Sequence, residues 1–137
     1  MRRLLRDAGI VRHRGKIEAA IANARAVVVV QREMGSFAAY VWSFAPAPSR
    51  RAPADRADVP STTDASTALA RDLKRRGFRF VGPTTVYAFM QAMGLVNDHL
   101  RTCPMRAVVA AERRGLSVPR IRGASQSAER PVSSRHG

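Results

Sequence analysis

Apolar positions recur at helical spacing along most of this chain, and the breaks between them hold residues that stop helices. The clearest stretch is Lys16 to Glu33, where Ile17, Ala20, Ile21, Ala24, Val27 and Val28 fall at i, i+3, i+4, i+7, i+10 and i+11. Val29 and Val30 weaken its end, because β-branched side chains lose χ1 freedom in a helix. Gly35 stops it, and Ser36 caps a short aromatic helix over Phe37 to Phe44. Ser61, Thr62, Thr63 and Asp64 offer caps for a helix carrying Ala65, Ala68, Leu69 and Leu73, which ends in Lys74-Arg75-Arg76-Gly77. Phe78 to Gly82 reads as a short apolar hairpin. Pro83 then starts a helix with Val86, Phe89, Met90 and Met93 on one side, closed by Gly94. A further helix is expected over Met105 to Arg114. The first residues, Met1 to Asp7, have paired leucines and no N-cap, and read as helix running into a stop at Gly9. Between Ala45 and Pro60, prolines at 46, 48, 53 and 60 mark a surface connection. The fold class expected is all-α.

Composition narrows what such a bundle does. The chain has 137 residues, enough for one modest domain, and 45% of them are apolar, which excludes wholesale disorder. Lys and Arg total 24 against 10 Asp and Glu, a formal net charge of +14. The isoelectric point lies near 11.8. Such a balance points to a polyanion, with nucleic acid ahead of a membrane surface. All but Lys16 and Lys74 of these cations are Arg, and Arg- and Ala-rich usage also follows from genomic base composition, so charge directs the search without ending it. A lone cysteine, Cys103, excludes an intrachain disulfide framework and suits a reducing cytoplasm. No apolar run approaches the roughly 18 residues of a membrane span. Arg2 and Arg3 imitate the basic start of a signal peptide, but no uninterrupted apolar region follows them. The organisation expected is a domain over 1–103, with a loop at 45–60 and a hairpin at 77–83. Residues 104–137, with seven Arg against two Glu, form a basic tail that reads as disordered from Gly115 onward.

The stretch from Lys74 to Thr85 is the most informative. A helix, a tight apolar hairpin, Gly-Pro and a Thr-rich helix start together describe a helix-hairpin-helix. The unpaired N–H groups that open its second helix face outward beside a glycine that lets a phosphate approach, and the helix dipole favours the anion. The candidate DNA-binding residues are Lys74, Arg75, Arg76, Gly77, Phe78, Val81, Gly82, Pro83 and Thr84. That motif usually has a glycine where Phe80 stands; the plain alternative is an ordinary corner between two packed helices. His99 and Cys103 have the spacing of half a tetrahedral zinc site, although such a pair alone reads more simply as a packed thiol and a surface imidazole. Tyr40, Trp42 and Phe44 do not share one helix face and read as core anchors rather than a base-stacking platform. Asp7, Glu18 and Asp98 form no acid/base pair, and Asp98 reads as the cap of a turn. No Ser/His/Asp grouping, P-loop or dinucleotide fingerprint is present, so no catalytic residue is assigned.

Longer blocks carry a resemblance. Arg3 to Ile17, Asn23-Ala24-Arg25-Ala26, Tyr40-Val41-Trp42-Ser43-Phe44, Lys74 to Gly82 and Gly94-Leu95-Val96-Asn97-Asp98-His99 resemble the bacterial DNA-3-methyladenine glycosylase I family, in unbroken order over about residues 2 to 103. The resemblance implies a zinc-containing branch of the helix-hairpin-helix glycosylases and a monomer acting on double-stranded DNA with alkylated bases. Its implied reaction is base-excision repair by hydrolysis of the N-glycosidic bond of 3-methyladenine, without a lysine nucleophile. Lys74 to Thr85 would then be the phosphate-binding hairpin, with His99 and Cys103 two of four zinc ligands. The family also carries an N-terminal segment with the other two zinc ligands and the acidic and aromatic groups of the base pocket, and nothing in this sequence corresponds to it. The expectation is therefore a bundle truncated at the N-terminus, with half a zinc site, that binds duplex DNA weakly and excises little or nothing. Two other classes stay open: a non-enzymatic DNA-binding fragment, and a small helical interaction protein.

Overall fold

Local caps set where the helices of this protein begin. The computed structural model describes residues 2–49 and 51–122. Its helices are α1 (Arg14–Met34), α2 (Phe37–Trp42), α3 (Asp64–Arg75), α4 (Pro83–Ala92) and α5 (Met105–Gly115), with no strand among the described residues. The His13 side chain accepts from the Lys16 amide at the start of α1, and Ser36 does the same for Ala39 at the start of α2. Thr63 and Ser66 bond each other's backbone in a capping box at α3, satisfying two otherwise orphaned groups. Pro83 occupies the first turn of α4, where its missing N–H costs nothing. The all-α expectation holds, and the helix over Met105 to Arg114 is present almost to the residue.

The core lies where α3 and α4 pack on the end of α1 and on α2. Val30, Tyr40, Val41, Leu69, Ala70, Leu73, Phe78, Val86, Met90 and Leu95 are buried together. In α3 the buried positions are Ser66, Leu69, Ala70 and Leu73, one face at i, i+3, i+4 and i+7. Two expected stripes are turned relative to their sequence pattern. In α1, Ile17 and Val27 are inward as expected, joined by Ala19, Asn23, Ala26, Val30 and Met34, while Ala20, Ala24 and Val28 face solvent. The run from Ala26 to Val30 is apolar on every side, so periodicity alone does not choose a face. In α4, Tyr87 takes the buried place expected for Met93, which is 55% exposed.

Two further expectations give way. The described part of Met1 to Asp7 makes no α-helix: it holds one 3₁₀ turn, Leu4–Arg6, with no side-chain cap and no buried residue to repay nucleation. Gly9 lacks the positive φ of a helix stop; its amide donates to the Asp7 carboxylate instead. At the other end, residues 104–122, grouped above with the tail, are attached to the domain. Arg113 donates to the carbonyls of Leu95 (2.6 Å) and Pro46 (3.2 Å), and the Arg122 amide donates to Met34 (3.0 Å). The remainder of that tail, 123–137, lies outside the described residues.

Candidate nucleic-acid interface

The corner between α3 and α4 is built from its glycine outward. Gly77 has φ +85°, which lets its amide reach Lys74 and lets the Phe78 amide reach back to Leu73 at 3.0 Å. Phe78 is thereby driven into the core, stacked on Phe37 with ring centroids 6.0 Å apart. Arg79 is next held by both backbone groups: its amide donates to Asn23 Oδ1 (2.8 Å), and its carbonyl accepts from Asn23 Nδ2 (3.0 Å). Phe80 follows with φ +58°, the one positive-φ residue other than glycine among the described residues. Glycine usually stands here in such hairpins because a Cβ is strained in the left-handed region.

The start of α4 is open. No described residue accepts a hydrogen bond from the amides of Gly82, Thr84 or Thr85, and a Cβ built on Gly82 would meet nothing within 4 Å. These donors lie at the positive end of the helix dipole, and Lys74 and Arg75 near the end of α3 and Arg79 in the turn have exposed side chains. An anion would find amide donors and a glycine that admits it, with exposed cations in the chain segment just before them.

Not every expected contact residue belongs to that surface. Arg76 is turned inward: it bonds Asp72 (2.8 Å) and Glu33 (2.6 Å), and its guanidinium lies 5.1 Å from the Tyr40 ring centre. Tyr40 donates to the same Asp72 carboxylate at 2.7 Å. Burial works against the charge of Asp72, but hydrogen bonds from Tyr40, Arg76 and Arg75 outweigh it and hold the carboxyl below its ordinary range. Burial, then the bond to Asp72, pushes the Tyr40 phenol well above its usual value. Arg76 is thus a structural cation, and Phe78, 7% exposed, is a core anchor. Val81 packs partly against the core, and Pro83 has no N–H to offer. Arg75 is 72% exposed and pairs with Asp72, a contact that solvent largely screens. Asn23 and Arg79 were not among the candidate residues. The available signal was a polar Asn on the inward face of an otherwise apolar helix.

His99 and Cys103 are brought together, with Sγ 3.6 Å from Nδ1. Ligand distances of about 2.3 and 2.05 Å at a tetrahedral angle give an edge of about 3.6 Å, so the pair matches two corners of a zinc site. No group of three or more possible metal ligands exists among the described residues. Asp98 does not cap the turn. Its carboxylate accepts from the Tyr87 hydroxyl and from Gln91 Nε2 (3.0 Å), while neighbouring Asn97 accepts from the His99 amide. Burial and then Asp98 raise the Tyr87 phenol above its normal range. Tyr40 is 2% exposed, the core anchor expected of it; Trp42 lies beneath Arg113, 5.6 Å from its guanidinium.

Beside the corner, α1, α2 and α4 border an open cleft of about 760 Å³, lined by Lys16, Asn23, Phe37, Val41, Phe80 and Phe89 among others. No carboxylate among the described residues lines it. The described surface thus sets unpaired amide donors beside an apolar cleft.

Comparison with known proteins gives this arrangement a context. Residues 1–107 match the family described as methyladenine glycosylase. A DNA-3-methyladenine glycosylase 1 of Escherichia coli (strain K12) is 50% identical over 102 residues, which cover 74% of this chain and 54% of the relative. A DNA-3-methyladenine glycosylase of Haemophilus influenzae is 44% identical over 103 residues, covering 74% and 56%. The crystal structure of a 3-methyladenine DNA glycosylase I superimposes with a TM-score of 0.69 at 51% identity, over 75% of this chain and 57% of that one. The chain spans about half the length of the curated relatives it matches.

Proposed function

The chain belongs to the methyladenine glycosylase family, and from that premise we propose that it supplies the duplex-gripping part of a DNA N-glycosylase acting on 3-methyladenine. The observation that carries the proposal is the row of amides at Gly82, Thr84 and Thr85 that no described residue accepts from, preceded in the chain by the exposed Lys74 and Arg75. A helix-hairpin-helix grip of this kind binds phosphate oxygens and so positions a duplex without reading its sequence. The reaction it serves is base-excision repair. Alkylation at N3 leaves the adenine cationic, so the N-glycosidic bond breaks with its electron pair going to the base, and water adds to the sugar carbon and sheds a proton. The base must first leave the stack, at a cost of a few kcal/mol that is least for a damaged base.

In this division of labour the chain's residues bind and orient the backbone, and recognition of the base falls to other groups; the cleft is lined by apolar and basic side chains such as Phe37, Phe89 and Lys16. His99 and Cys103 would hold two positions of a structural zinc ion, which would tie chain segments together and take no part in bond breaking. The same reading places the protein in the cytoplasm with DNA; no helix among the described residues is long and apolar enough to cross a membrane.

A second reading, a DNA-binding module without base excision, is favoured by the apolar and basic lining of that cleft among the described residues. Release of 3-methyladenine from alkylated duplex separates the two. The grip is tested by Lys74→Ala combined with Arg75→Ala. Affinity should fall alike on all sequences in an anisotropy assay, and the slope of log K against log salt should drop by about 1.8, the loss of two phosphate contacts. Unchanged affinity and slope would remove the assignment.

A further inference from the structure

Two phenylalanines stand in this corner, and the fold treats them oppositely. Phe78 is 7% exposed and anchors the turn; Phe80, two residues on, is 64% exposed. Phe80 is also strained, with φ +58° in the region that favours glycine. Burial does not offset that strain, because the ring has left the core. What holds the strain in place is the Asn23 clasp on both backbone groups of Arg79, which fixes the residue immediately before it. An exposed aromatic kept at a stability cost is a candidate contact.

Its surroundings define the partner. Two residues beyond Phe80 the open amide row begins, and Lys74 and Arg75 are exposed on the helix before it. A phosphate held on those amides carries a deoxyribose on either side, with base edges beyond. Apolar side chains complement those uncharged surfaces, as wedges in DNA-binding proteins do. We propose that Phe80 is a duplex contact, its ring packing against the sugar and base edge next to the phosphate gripped at the start of α4. The proposal rests on the reading of this corner as a DNA grip, and it adds an uncharged component to it.

The test uses the full chain and a fluorescein-labelled, undamaged duplex, with anisotropy measured across a salt series. Phe80→Gly removes the ring and the strain together. It should bind roughly fivefold more weakly at every salt concentration, with the slope of log K against log salt unchanged, since no charge is lost. Its Tm should hold or rise. Phe80→Asn, which tolerates the left-handed region, should behave the same way, and Phe80→Leu should retain most of the affinity. Unchanged affinity in the glycine and asparagine variants would overturn the proposal, as it would if the ring instead covers a polypeptide seated in the neighbouring cleft. A clear fall in Tm for both would do so too, by showing that the ring is a packing residue. If the unmodified chain shows no salt-dependent DNA binding, the grip itself fails; if it binds and the variants match it, only the role of Phe80 fails.

Discussion

The two turns that flank α4 start alike and finish differently. Each opens on a glycine with positive φ, Gly77 at +85° and Gly94 at +72°. Each then buries an apolar residue whose amide reaches back five positions, Phe78 to Leu73 (3.0 Å) and Leu95 to Met90 (2.9 Å). Beyond that shared stop they diverge. After Leu95, the Val96 amide also bonds Met90, and Arg106 covers the carbonyls of Asn97 (2.8 Å) and His99 (3.1 Å). After Phe78, the amides of Gly82, Thr84 and Thr85 find no acceptor among the described residues. A helix stop is thus a structural device common to both ends, and the capacity to bind an anion comes from what the chain declines to pair afterwards.

The common half of the comparison is the more expensive to break. Phe78→Ala should destabilise the protein by about 3–5 kcal/mol and Leu95→Ala by about 2–5 kcal/mol, measured by urea unfolding, because each empties a buried site. Similar losses would show that both turns are anchored by the same kind of burial. A loss below about 1 kcal/mol at either site would mean that its turn is held by something other than its buried residue.

The next effect sharpens the difference beneath the first turn, where Asp72 joins Tyr40, Arg75 and Arg76. The Asp72 carboxyl is depressed in the folded protein. Its contribution is therefore complete above the unfolded value of about 3.9, and is lost as pH falls through that value toward the lower, folded one. Tm should be steady from neutral pH down to about 5 and should fall below about 4. Asp72→Asn should cost about 2 kcal/mol at neutral pH and flatten the acid limb. An acid limb as steep in the variant as in the parent would assign that titration to other carboxylates.

Much of this contrast was legible in the sequence, and the illegible part has a physical cause. Pro83, Gly77, Gly94 and the Thr63 cap act within a few residues, so their effects follow from local chemistry. Helix faces did not follow so simply. The valines at the end of α1 are apolar all round, and only packing chose Val30 over Val28. Charge was harder still. Lys74, Arg75 and Arg76 are equivalent basic residues in sequence, yet Glu33, over forty positions away, and the ring of Tyr40 draw Arg76 inward. The Asn23 clasp likewise joins residues 56 apart. The pairing of His99 with Cys103 was local, one helical turn of spacing, and was legible for that reason.

The smallest effect bears most directly on the divergence itself. If open amides distinguish the first turn, inorganic phosphate should find them without any DNA present. In a 15N-edited NMR titration the amides of Gly82, Thr84 and Thr85 should shift together and saturate, with weak millimolar-range affinity because a lone anion brings no neighbouring contacts. Leu95 and Val96, whose amides are already bonded to Met90, should stay where they are. Raising the concentration of sodium chloride should weaken the first set of shifts, since dipole and side-chain charge both act through screened electrostatics. Equal shifts at both turns would mean that phosphate is reporting the overall positive charge of the chain. Saturating shifts confined to the first turn would locate the anion site in the backbone, so that Lys74 and Arg75 strengthen a grip that the fold already provides.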